Sequence, residues 1–174
     1  MKRVELLLKD RLYNEYINRN VSAETQNKFC RHDLPHHIDV ARITYILVLE
    51  HNDLNYFVKE SNLGGKLAAK EVIYTAGLMH DIGKWQEYKI GMDHALLGSR
   101  LVREILPRAS FNANEIEQIS RAVYEHRNIS RDMSFLGERL HRADNLSRVC
   151  SQCDLQDKCP KVKNKEIGLT GLEY

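Results

Sequence analysis

Apolar residues recur every three or four positions through almost the whole 174-residue chain, and no stretch sustains the period-2 alternation of a half-buried strand. That pattern restricts the chain to helices that each bury one stripe. Val4, Leu8, Leu12 and Tyr16 mark a first helix. Others are expected from about Pro35 to Glu50, Lys66 to His80, Asp93 to just before Pro107, Asn114 to His126 and Phe135 to Val149. The prolines, at 35, 107 and 160, all fall near expected helix ends. The longest connection is HNDLNYFVKESNLGG, residues 51–65, where Gly64-Gly65 ends a turn. With no internal repeat or low-complexity tract, the expected fold is all-α: a compact bundle of roughly six helices forming one domain.

The bulk properties exclude several classes of function. The 26 basic and 24 acidic residues are interspersed and no basic stripe stands out, so nucleic acid gains no support as a main partner. No apolar run approaches the roughly 20 residues needed to span a bilayer. The opening MKRVELLLKDR returns to charge after three leucines, too soon for a signal-peptide core. A cytoplasmic protein without membrane contact is expected. The chain carries no signal for an oligomeric state.

The eight histidines are placed unevenly. His36 continues the stripe of Val40, Ile43 and Leu47; His80 follows Ile73, Ala76 and Gly77; His94 leads Leu97, Leu101 and Ile105. His126 closes the stripe of Ile119, Ala122 and Val123, and Asp144 follows Leu136 and Leu140. A single histidine on an apolar stripe is usually a satisfied core residue. Five helices that each carry a His or Asp on the buried face are costly unless those groups share a partner. A divalent transition metal is such a partner, since it takes neutral imidazoles and carboxylates together.

Two His-Asp pairs occur, in FCRHDLPHHIDV at 32–33 and in GLMHDIGK at 80–81. The second ends a buried helix. The first precedes a helix, where Asp33 reads as a cap ahead of Pro35 and His32 as exposed or at most adjacent to the site. The order His36, His80-Asp81, His94, His126 and Asp144 resembles the HD-domain metal-dependent phosphohydrolases from about residue 30 to 149. HHIDVARI aligns best with that family's first ligand at His36, since Val40 and Ala41 follow at the usual distance. His37 points about 100° away on the same helix. HRADNLSR carries the final aspartate.

The resemblance implies an HD-type fold with the metal site in its core, and a minimal site of His36, His80, Asp81 and Asp144. His94 and His126 match the two-metal branch, which includes dinucleoside-polyphosphate hydrolases and cyclic-dinucleotide phosphodiesterases. There Asp81 would bridge two ions, with His94 and His126 holding the second. Such a pair clamps a phosphate and activates a water. Fe, Mn, Co, Ni and Zn all suit the donor set. Asp81 and Lys84 are the expected catalytic residues, Lys84 neutralising phosphoryl oxygens. Arg127 is a weaker phosphate contact and reads first as a surface arginine. The expected function is hydrolysis of a phosphoester or phosphoanhydride in a small phosphorylated compound of nucleotide type. The same six residues also resemble the diiron oxygenases of the superfamily, and a non-catalytic nucleotide-sensing module is the third reading.

CSQCDLQDKCPK supplies a C-x2-C-x5-C spacing, with Cys30 far upstream. Cys30 lies six residues before His36 and Cys150 six after Asp144, so the flanking segments are expected to meet if those two residues do. Cys30, Cys150, Cys153 and Cys159 are then candidate ligands for a structural Zn²⁺ or an iron–sulfur cluster, against a reading as free thiols. Residues 150–174 read as a Cys-containing extension packed on a single HD-type domain spanning 1–174.

Overall fold

A computed structural model describes residues 1–24, 30–148 and 150–163, and within them every regular element is helical. In chain order these are α1 (Lys2–Lys9), α2 (Arg11–Ala23), α3 (Leu34–Glu50), α4 (Leu54–Glu60), α5 (Lys66–Met79), α6 (Lys84–Ile90), α7 (His94–Ile105), α8 (Ala113–Glu125), α9 (Phe135–Leu146) and α10 (Pro160–Lys163). The all-α expectation holds. Of these helices, α3, α5, α7 and α8 fall within about a residue of their expected bounds. The last expected helix stops at Leu146, and its anticipated end, Val149, lies outside the described residues.

Three local expectations are corrected. The first stripe is two helices, because Asp10 turns the backbone extended and its carboxylate accepts from the Leu12 and Tyr13 amides at 2.9 and 3.0 Å. Those donors have no partner inside the new helix, and an aspartate supplies one better than a continued helix can use it. The long connection at 51–65 contains α4, whose Phe57 is buried and stacks on Phe135 at 5.3 Å between ring centroids. Between the helices expected to end at His80 and to begin at Asp93 lies a further one, α6. That helix has no buried residue and so no stripe to announce it, and it ends at Gly91 in the left-handed conformation (φ 72°).

The core is built on α5, which packs on both α3 and α8, while α9 closes against α3 and α8 and α7 lies on α8. Ala69, Val72, Ile73 and Ala76 of α5 are fully buried, as are Val40 and Leu47 of α3 and Ile119 and Val123 of α8. Caps set where each helix begins. Asp33 Oδ1 accepts from the His36 amide, Asp93 Oδ1 from those of Ala95 and Leu96, and Asn112 forms a reciprocal capping box with Glu115.

Arg3 of α1 ties that helix to α5 and α8. Its amide and Nε donate to Glu71 at 3.1 and 2.6 Å, its Nη1 donates to Glu115 at 2.5 Å, and its guanidinium lies 4.3 Å over Phe111. Both carboxylates are buried. Arg3→Met keeps the stem and strands two buried acids, so it is expected to cost about 2 kcal/mol. Urea denaturation at neutral pH checks this, and an unchanged midpoint would show the acids to be satisfied without Arg3.

Candidate metal centre

The bundle brings six widely separated side chains to one end. His36 sits in the first turn of α3, His80 caps the C-terminus of α5 with Asp81 next to it, His94 opens α7, His126 caps the C-terminus of α8, and Asp144 lies in the last turn of α9. Helix ends, rather than helix middles, face one another here. All but Asp144 are buried, and His80 is completely so.

Asp81 is the hub. Its Oδ2 lies 3.2 Å from His80 Nε2 and 3.8 Å from His36 Nε2, while its Oδ1 lies 2.9 Å from His94 Nε2 and 3.7 Å from His126 Nε2. Asp144 Oδ1 completes the first side, 3.3 Å from His36 Nε2 and 3.8 Å from His80 Nε2. Among the described residues, two donor groups therefore have all their ligand atoms within 4.8 Å of one another: His36, His80, Asp81 and Asp144, and Asp81, His94 and His126.

The second ring nitrogens decide what these groups can hold. His80 Nδ1 donates to the Gly77 carbonyl at 2.7 Å and His126 Nδ1 to the Val123 carbonyl at 2.6 Å. A carbonyl only accepts, so each neutral ring turns a bare Nε2 lone pair inward. His94 Nδ1 is held by the Glu87 carboxylate, and its Nε2 faces that of His126 at 3.3 Å. Acceptors thus face acceptors. His80 Nε2 is buried and makes no hydrogen bond among the described residues. Lone pairs and carboxylate oxygens converging in this way leave a cation as their natural common partner, so the donor set fits a divalent metal.

The electrostatics agree. Burial alone would raise Asp81, but His80, His94 and His32 outweigh it and hold its carboxyl well below the usual range. Asp144 is burdened by burial too, yet Arg148 and His36 keep it ionised. Burial lowers His80. For His36, burial is overcome by hydrogen bonds to Asp144 and Asp81, and its pKa rises; His94 rises through Asp81 and Glu87 against the same burial. Protons and metal therefore compete for the same basins of negative potential.

Several neighbours were invisible or misread in the sequence. His32, expected exposed or merely adjacent, is buried with Nε2 3.6 Å from Asp81 Oδ2; its Nδ1 is gripped by Glu24, which also accepts from Tyr88 at 3.0 Å. Of the two expected places it takes the second, beside the site, because Glu24, the residue that ends α2, buries next to it, a pairing across eight residues with no helical spacing to announce it. Asn20 is fully buried and ties α2 to the metal-site turn, donating to the Asp81 carbonyl and accepting from the Trp85 amide, both at 2.8 Å. Arg148, which the sequence reading missed, donates to Asp144 Oδ1 at 2.9 Å, and its i, i+4 spacing is the signal that could have found it. Asp33 caps α3 as expected. His37 is buried, donates Nδ1 to the Leu78 carbonyl at 2.8 Å and belongs to neither donor group.

Lys84 lies at the rim rather than in free solvent, with Nζ 3.4 Å from Glu87 Oε2 and 3.3 Å from His94 Nδ1. Arg127 is half exposed but engaged, its Nη1 2.7 Å from both Glu87 oxygens. Glu87 therefore orients His94 while Arg127 and Lys84 balance its charge. Glu87→Gln is expected to lower metal affinity roughly 10- to 100-fold by loosening that ring. A metal titration followed by calorimetry reads the effect, and an unaltered affinity would remove Glu87 from the site's support.

The model of the HD domain matches residues 34–150, two thirds of the chain and the span that carries all six of these residues. The chain belongs to the HD-domain family. An uncharacterized protein of Clostridium beijerinckii is 36% identical over 159 residues, covering 91% of this chain and 92% of that one. The bifunctional uridylyltransferase/uridylyl-removing enzyme of a Bradyrhizobium species is 27% identical over 114 residues, 64% of this HD protein but only 12% of that enzyme. Among solved structures, a protein named a predicted HD superfamily hydrolase from an uncultured Thermotogales bacterium superimposes with a TM-score of 0.55 at 24% identity, over 86% of this chain and 75% of that one, a likeness of fold. No helix among the described residues is long and apolar enough to cross a membrane.

Proposed function

We propose that this HD domain is a metal-dependent phosphohydrolase that cleaves a phosphoester or phosphoanhydride in a small phosphorylated compound of nucleotide type. The observation that carries the reading is the split of Asp81: one oxygen faces His36 and His80, the other His94 and His126. A carboxylate so placed suits two cations, with His36, His80, Asp81 and Asp144 holding one and Asp81, His94 and His126 the other. Fe, Mn, Co, Ni and Zn all match these donors. When bound, such a pair supplies Lewis acidity at a phosphoryl group and lowers the pKa of water.

The chain's own residues do the remaining work. Asp81 stays ionised and spaces the two donor groups. The carbonyls of Gly77 and Val123 and the carboxylate of Glu87 fix the histidine rings so that no lone pair must reorient. Lys84 stands at the rim with its charge near His94, where it can meet phosphoryl oxygens as negative charge grows. Relatives named for removing a uridylyl group support a nucleotide-type substrate, although the match spans only 6% to 12% of their length. The test is phosphate or nucleotide release from a panel of nucleotides with Mn²⁺ or Co²⁺. Activity that requires the metal and vanishes in Asp81→Ala supports the reading. A metal-loaded protein that cleaves none of the panel, or consumes dioxygen when loaded with iron, argues for one of the other two.

A further inference from the structure

The cysteines are not used by the histidine site, yet the fold gathers them. Cys30 precedes α3, whereas Cys150, Cys153 and Cys159 lie beyond α9, and all four line one cavity of about 220 Å³ together with His36 and Arg148. The sequence separation between the two segments exceeds a hundred residues, so tertiary structure alone makes them neighbours. No disulfide links them. Cys150 and Cys153 are joined by a tight turn, with the Cys153 amide donating to the Cys150 carbonyl at 3.1 Å, and a second turn runs from Gln156 to Cys159. A turn like the first lets thiols three positions apart chelate one ion.

Two further facts bear on what the cavity holds. Cys150 is buried, and its thiol is pushed up first by that burial and then by the closeness of Cys30, Cys159 and Cys153. Four thiols in mutual electrostatic reach ionise together only around a cation. The sulfurs are not among the donor groups whose atoms all lie within 4.8 Å of one another, so a bound ion must draw them closer together. The cavity wall also reaches the catalytic end of the molecule: Ser147 Oγ lies 3.3 Å from His36 Nδ1, and Arg148 grips Asp144.

We infer that Cys30, Cys150, Cys153 and Cys159 form a tetrathiolate Zn²⁺ site that clamps the segment after α9 onto the entrance of α3. The ion is structural, having no open position for substrate. Its effect on the histidine site is indirect: it holds Ser147 and Arg148 against His36 and Asp144, so these two are positioning residues.

The experiment uses the full chain, stripped by a strong chelator and reloaded with Zn²⁺ or Co²⁺. In the Co²⁺-loaded protein, thiolate-to-cobalt charge-transfer absorption is expected in wild type and in Asp81→Ala, and is lost in Cys153→Ser. Zn²⁺ is expected to slow the reaction of the wild-type thiols with a disulfide reagent, a readout that needs no variant to fold. Equal thiol reactivity with and without Zn²⁺, or no charge-transfer band in wild type, overturns the inference. An iron–sulfur chromophore in protein freshly purified without reconstitution overturns the zinc assignment. Loss of phosphate release with the thiolate absorption intact touches only the hydrolase reading.

Discussion

In the metal-loaded protein, Asp81→Asn is expected to lose phosphate release by on the order of a thousandfold or more. The side chain keeps its volume but has one acceptor oxygen where the wild type has two, each aimed at a different pair of histidines. An amide cannot serve both donor groups. In the metal-free protein the same change is expected to be benign, because its N–H groups can satisfy inward lone pairs such as that of His80 Nε2, which has no hydrogen bond among the described residues. The two states therefore separate. At metal 100-fold above Kd, the wild type gains about 2.7 kcal/mol of stability, and the variant is expected to gain far less. Differential scanning calorimetry with and without Mn²⁺, paired with a phosphate-release assay, reads both. Full activity in Asp81→Asn would falsify the bridging role.

Gly77→Ala is expected to destabilise the fold by about 3 kcal/mol or more, lowering Tm by roughly 10 °C. A Cβ at this position would lie 2.4 Å from Ala41 Cα and 2.6 Å from Ala41 N. Both are backbone atoms of α3, so no side-chain rotation relieves the clash and the two helices must separate. That separation reaches the metal site within one turn. Gly77 supplies the carbonyl that orients His80, and the His36 and His80 rings stand 5.1 Å apart across the same helix pair. Metal affinity should fall together with stability. Gly64→Ala is the control, since its Cβ would meet only Ala68 Cβ at 4.0 Å; a change within about 0.5 kcal/mol is expected there. If thermal melts of Gly77→Ala and Gly64→Ala coincide, the close approach of α3 and α5 does not govern the fold.

Much of the architecture was legible because long helices with one buried face must repeat their apolar residues every three or four positions. The elements that escaped notice are those in which this rule has little to act on. Helix α6 buries nothing, and α4 is seven residues long with one buried side chain, so neither draws a stripe. The break at Asp10 escaped for the opposite reason. The stripe continues across it, while a single capping carboxylate decides that the helix does not.

The six residues of the candidate centre were readable one at a time, as polar residues standing where apolar ones belong. Their supports were not. Glu24 beside His32, Asn20 across the Asp81 turn and Glu87 behind His94 are joined to the site by hydrogen bonds whose partners are set by packing.

By itself, then, the order of residues determined that the chain is helical and that six ionisable side chains stand on or beside its buried stripes, because burial and periodicity act locally along each helix. Only the tertiary structure decided that five helix ends meet, that Asp81 turns a different oxygen to each side, and that four cysteines share one cavity. Those outcomes depend on how closely α3, α5, α8 and α9 approach; Gly77 against Ala41 lets α3 and α5 close up, and the surrounding core, rather than the residues that carry the chemistry, sets the rest.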